Sequence, residues 1–215
     1  MYVCMHVCMY RDNLKQQMGM EVLAILMGNP FFAELRTKQQ LGYIVYGGVS
    51  NKEGVRSLVF TAQSSVADAD VLTEKIFAFT DTFSLKELSD EQIAGFISGL
   101  VKNKLQSDKK LTTEVGRHWG EIVVGQYDWY LRQREAEVMK SLTRQDLEEV
   151  LAQVVQQGGS RRRVLTTQVY SQTDTKGMAK LGKLSTTGVL IADTKDFLAQ
   201  NTFFTPVKGS PGTLA

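Results

Sequence analysis

From Tyr2 to Tyr10 the side chains alternate, with Val3, Met5, Val7 and Met9 on one side and Tyr2, Cys4, His6, Cys8 and Tyr10 on the other. That is the period of a β-strand. Asn13 is suited to cap a helix, and after it Leu14, Met18, Val22 and Ile25 recur at helical spacing. The pattern predicts a largely buried helix stopped by Gly28-Asn29-Pro30. Phe31 to Gln40 reads as a second, short helix with Phe31, Phe32 and Leu35 turned inward and Gly42 ending it. Tyr43 to Val49 and Leu58 to Gln63 are β-prone, and the polar stretch Ser50 to Gly54 has the composition of a hairpin loop. An antiparallel pair follows.

Four helical stripes come next. Leu72, Ile76, Phe79 and Phe83 form the first, and Ile93, Phe96, Ile97 and Leu100 the second, which Ser89 and Gln92 open as a capping box. Val115, Trp119 and Ile122 mark a helix starting near Thr112, and Leu147, Val150, Leu151 and Val154 mark one starting near Thr143, closed by Gly158-Gly159. Val164 to Tyr170 is the last clear strand. Beyond Thr173 the chain is rich in Thr, Gly and Lys, with isolated apolar residues at Phe197, Phe203 and Phe204, and is expected to be an irregular tail. The order of elements predicts an α+β fold, an antiparallel sheet with helices layered on one face, because the apolar side of such a sheet must be covered. The chain divides into an atypical segment (1–12), one α+β domain (13–172) and the tail (173–215).

Composition narrows the function. With 43% hydrophobic and 22% charged residues, the 215-residue chain reads as an ordinary globular protein. Its 25 basic and 23 acidic side chains are spread along the sequence, giving a net charge of +2, so neither nucleic acid nor an anionic membrane is an expected partner. Arg161 to Arg163 form the one basic run, read as a solvated entry to a strand. The longest wholly apolar run, Val22 to Met27, is far short of the roughly 20 residues of a membrane span. The beginning lacks a basic leader region, and two cysteines imply no disulfide framework, so a cytoplasmic location is expected.

Catalytic motifs are few. His118 and Glu121 supply the H-x-x-E part of a zinc-peptidase signature, but Ile122 stands where the second metal ligand belongs, and His118 is read as a helix residue packed beside the core. Cys4, His6 and Cys8 share one side of the first strand and form a candidate soft-metal grouping, although structural zinc sites more often pair cysteines across a tight turn. No G-x-S-x-G elbow and no phosphate-binding glycine loop is present.

One segment is more specific. Phe32-Ala33-Glu34-Leu35-Arg36-Thr37-Lys38-Gln39-Gln40-Leu41-Gly42-Tyr43-Ile44-Val45 resembles the F-x-x-L-R-T-K-x-Q-L-G-Y-x-V stretch in the C-terminal half of insulin-degrading-enzyme-like zinc peptidases (insulysin, pitrilysin and nardilysin; peptidase family M16). His118-Trp119-Gly120-Glu121-Ile122 with Gln126-Tyr127, Leu142-Thr143, and the tail from Phe197 through Phe203 to Pro206 are similar to later segments of the same family, so the likeness runs from about Asn13 to Val207.

The resemblance implies one M16-type (LuxS/MPP-like) unit in a clamshell of two halves that encloses peptides. Zinc would sit in the N-terminal half, on an H-x-x-E-H helix, so this chain would hold no cofactor and would supply the opposing wall. Its partners would be peptide substrates and the zinc-bearing half, in the same gene product or a separate chain. Arg36 and Tyr43 align with residues that reach toward the scissile bond; Lys38 and Gln39 are weaker candidates. A guanidinium is a fork of donors for a substrate carbonyl, and a phenol can donate to a developing oxyanion. Spacing alone also fits Arg36 as a surface cation paired with Glu34 and Tyr43 as a half-buried strand residue. A catalytically inactive peptide-binding or subunit-pairing module is the alternative function.

Overall fold

A computed structural model describes residues 1–8, 13–52, 55–171 and 189–201. The alternation near the start forms β1 (Tyr2–Cys8), with Val3, Met5 and Val7 fully buried; Met9 and Tyr10 lie outside the described residues. Asn13 accepts the Gln16 N–H at 3.0 Å and caps α1 (Leu14–Phe32).

Pro30 does not end this helix. The chain continues through it and widens into a π-helical turn, Ala33–Lys38, so the two helices expected from sequence are one. An interior proline costs a helix about 3 kcal/mol. Phe31 and Leu35 beyond it are both fully buried, each contributing roughly 1.5–3 kcal/mol, which offsets that cost. Phe31 packs edge-on against Phe60 at 5.0 Å and Phe79 at 5.2 Å. Two of the expected inward positions differ: Ile25 is 47% exposed and Phe32 40% exposed. By length and composition alone Leu14–Lys38 could cross a membrane, yet 56% of its apolar window is buried within the protein, as befits a core helix laid on a sheet.

β2 (Ile44–Lys52) and β3 (Val55–Gln63) form the expected hairpin, both strands running further toward the turn than their β-prone cores. β4 (Val164–Val169) completes a four-stranded antiparallel sheet in the order β2-β3-β1-β4. α1 and α2 (Ala69–Thr82) cover one face, where Val3, Met5, Val7, Val45, Leu58 and Phe60 meet Leu72, Ile76 and Phe79. On the other face, Ile44, Tyr46, Leu165 and Val169 are exposed.

The Ser89 capping box forms as expected and opens α3 (Asp90–Leu105). α4 (Leu111–Val124) forms too, but none of its residues is buried, and its stripe residues Val115, Trp119 and Ile122 are all exposed. His118 therefore packs beside Trp129, at 5.4 Å between rings, and not beside the core. The stripe marks a face to be covered; among the described residues nothing covers it.

α5 (Leu131–Lys140), absent from the sequence reading, turns Glu135, Ala136 and Met139 inward. α6 (Arg144–Val150) begins at a Thr143–Asp146 capping box and runs into a π-helical turn, Leu151–Val155. Within the stretch expected to be irregular, Asp193 accepts the N–H groups of Lys195 and Asp196 and opens the short α7 (Thr194–Gln200). Phe203 to Pro206 fall outside the described residues.

Candidate functional site

The π-helical turn after α1 delivers Arg36 to the start of β2. Leu35 anchors the turn in the core, and the Leu41 N–H closes it by donating to the Leu35 carbonyl at 2.9 Å. Gln40 adopts a positive φ of 52°. Gly42 then passes so close to β3 that a Cβ there would stand 2.1 Å from the Gln63 carbonyl oxygen. Only glycine lets the chain approach that backbone and enter the edge strand at this register.

Arg36 and Tyr43 are brought together. Arg36 Nη1 donates to the Tyr43 carbonyl at 2.7 Å, and the guanidinium lies over two rings, 4.8 Å from the Tyr43 centroid and 5.1 Å from that of Phe32. Two ring contacts and a hydrogen bond hold the guanidinium in place, and most of its five N–H donors remain unspent. Tyr43 is 80% exposed, and its hydroxyl has no hydrogen-bond partner among the described residues. It is thus not the half-buried strand residue that spacing alone allowed. Nor does Arg36 pair with Glu34.

Glu34 instead accepts from Lys38 Nζ at 3.0 Å and from Gln39 Nε2 at 2.9 Å, which occupies both of the weaker candidates. The Lys38 hydrogen bond first, then that of Gln39, holds the Glu34 carboxyl below its ordinary value of 4.5. A carboxylate with a lowered folded pKa contributes stability above the unfolded value and loses it as pH falls through the folded one. The Glu34 carboxyl followed by NMR should therefore titrate with a midpoint below 4.5, moving back toward 4.5 in Lys38→Ala. A midpoint at or above 4.5 in the parent would disprove the arrangement.

The segment His118–Tyr127, which carries part of the resemblance, builds a turn. Glu121 accepts the Asp128 N–H at 3.3 Å and fastens the turn after α4, in which Tyr127 has a φ of 51°. Burial, then the nearby Glu135 charge, raises the Glu121 pKa. His118 and Glu121 have no second histidine beside them, and among the described residues no group of three His, Cys, Asp or Glu side chains is placed to hold a metal. Cys4 and His6 do meet, with Sγ and Nε2 3.3 Å apart; the side chain of Cys8, third in that sequence pattern, lies outside the described residues. Arg162 of the basic run is held by Asp81 at 2.9 Å and stacks over Phe77 at 5.2 Å, so it is a structural contact and not a solvated charge.

Sequence reasoning missed a buried group of four charges. Arg56 on β3 bonds both Glu21 of α1 and Glu135 of α5, and Lys104 of α3 bonds Glu135 at 2.7 Å and Glu21 at 3.0 Å. Cations and anions alternate around a ring that ties four elements together, with Arg56 at the end of the hairpin away from Tyr43. Charged residues from distant positions give no periodic signal.

Comparison with known proteins points one way. Residues 22–119 match the family described as PQQ synthase PqqF-like, C-terminal lobe domain 4. The chain is 30% identical to human insulin-degrading enzyme over 163 residues, which is 75% of this chain and 16% of that protein, so it spans a small part of the length of such relatives. The fold superposes on the crystal structure of pitrilysin with a TM-score of 0.71 at 21% identity, covering 82% of this chain and 19% of that one. It also superposes on the inactive peptidase domain of a zinc protease from Bordetella parapertussis with a TM-score of 0.60 at 15% identity, covering 77% of this chain and 90% of that one.

Proposed function

Because the chain belongs to the insulin-degrading-enzyme family of peptidases, family M16, as a domain of its C-terminal half, we propose that it grips and orients peptide substrates for a zinc centre carried elsewhere. The observation that carries this reading is the Arg36–Tyr43 pair: a guanidinium held over two rings beside a phenol that is 80% exposed and whose hydroxyl has no partner among the described residues. Unspent guanidinium donors suit the carbonyls of an extended peptide backbone, and the phenol suits the oxyanion formed when water attacks the scissile carbonyl. The chain's own part in the reaction is to hold the substrate and to donate a hydrogen bond from Tyr43; attack by water requires the zinc-bearing half.

The exposed stripe of α4, with Trp119 at 62% and Val115 at 55% exposed, supports a chain that packs against further parts of a larger assembly. The test is complementation. The purified chain mixed with, or fused to, a zinc-bearing half of the same family should yield peptide cleavage that a chelator abolishes, with neither part active alone. Binding of peptide by the chain without any gain in cleavage would reject this function in favour of a peptide-binding or subunit-pairing module.

A further inference from the structure

Tyr46 lies folded against its own strand. Val45 is buried in the core, and a Cβ on Gly47 would stand 3.4 Å from Phe31 and Phe60, so Ile44, Tyr46 and Gly48 share the open face of β2, an edge strand. A Cβ on Gly48 would run into the hydroxyl oxygen, Cζ and Cε1 of Tyr46, the last at 2.9 Å. The ring therefore lies along the strand toward the hairpin turn, on a seat that only glycine leaves free. Val59, the cross-strand partner of Gly48, is buried on this otherwise open face, in keeping with a ring resting there. The Tyr46 hydroxyl has no hydrogen-bond partner among the described residues, so packing holds the ring. The backbone beneath it has no room to retreat. Phe31 and Phe60 fill the core side of Gly47, and a Cβ on Gly28 of α1 would stand 3.3 Å from the Gly47 carbonyl oxygen.

With the ring laid away from Tyr43, the surface of Ile44 between them stays open, 45% exposed. Ile44 and Tyr46 stand two residues apart, about 7 Å along a strand, which is also the repeat of side chains on one face of an extended peptide. We infer that Tyr46, seated on Gly48, is the side wall of a subsite, floored by Ile44, that takes a large apolar side chain of the peptide. The inference rests on the reading that Arg36 and Tyr43 grip that peptide, whose chain then continues along β2. Gly48 sets the size of side chain admitted. Any larger residue there tips the Tyr46 ring out of its seat into another staggered rotamer, and the pinned backbone leaves the ring as the part that moves.

The test uses the full chain and two extended decapeptides of alanine and serine, alike except for one central phenylalanine. By NMR, the Gly48 Hα protons should be shifted upfield by the Tyr46 ring, and Tyr46→Ala should remove the shift. The phenylalanine peptide should bind about tenfold more tightly than its counterpart, the scale of half-burying an aromatic side chain. Gly48→Ala should erase that preference while leaving affinity for the alanine–serine peptide unchanged. In a Tyr46→Ala background the wall is gone, so the preference should be low and Gly48→Ala should change nothing further. Should Gly48→Ala not fold, Tyr46→Ala alone must lower the preference. Four outcomes overturn the subsite while leaving the peptide grip standing: a Gly48 shift indifferent to Tyr46→Ala, equal binding of the two peptides, a preference that survives these substitutions, or an equal effect of Gly48→Ala in both backgrounds. Binding of neither peptide removes both the subsite and the grip.

Discussion

Arg56→Met is expected to cost the folded chain about 3–5 kcal/mol, the loss typical when one partner of a buried ion pair is removed. Arg56 and Glu135 have side chains only 8% and 4% exposed, and Arg56 joins Glu21 and Glu135 while Lys104 joins the same two carboxylates. Methionine fills much of the space, so the loss reflects charge more than packing. With Arg56 gone, two carboxylates face one ammonium in a largely buried site. The desolvation already spent on Glu135 is then uncompensated. The measurement is the urea midpoint at constant slope. A shift worth under about 1 kcal/mol, the scale of an exposed pair, would mean that the four charges are solvated and the ring is not a structural element. Replacing all four with apolar residues of similar volume should be far milder than replacing one, because no orphaned charge remains.

The second large effect concerns chemistry. In an assembly of this chain with a zinc-bearing half, Tyr43→Phe should lower kcat by on the order of a hundredfold or more, the usual loss of one oxyanion donor. KM should change little. A hydrogen bond made only to the developing oxyanion is not made to the bound substrate, so its loss falls on the transition state. Arg36→Ala should affect both constants, since it removes peptide donors and also the hydrogen bond and ring contact that hold Tyr43. Arg36→Lys should not restore activity, because an ammonium on a flexible stem lacks the planar fork of donors and the ring-stacking surface that the guanidinium offers beside Phe32 and Tyr43. An unchanged kcat in Tyr43→Phe would remove the oxyanion role and leave Tyr43 as an exposed ring of the wall.

Where one face of an element meets the core, the sequence was readable. β1, the hairpin, α2, α3 and α6 carry their period in plain view because burial selects apolar residues at most inward positions. α5 did not, because its inward face spends one of its three buried positions on Glu135, which reads as surface until Arg56 and Lys104 are brought to it. Pro30 misled for a related reason. Local chemistry opposes a helix there, and the energy that overrides it comes from Phe60 and Phe79, far along the chain.

The candidate site divides in the same way. The order of residue types from Phe32 to Val45 fixed the family likeness and singled out Arg36 and Tyr43, because motif and spacing are properties of the chain itself. That Arg36 holds Tyr43 and not Glu34, that Lys38 and Gln39 are spent on Glu34, and that the α4 stripe faces outward were settled by distances between segments. Sequence thus determined which side chains the protein has to offer and the period of most of its elements. Tertiary structure alone decided which partner each side chain takes, because hydrogen bonds and ion pairs reach only a few ångströms and residues far apart along the chain come that close only when it folds.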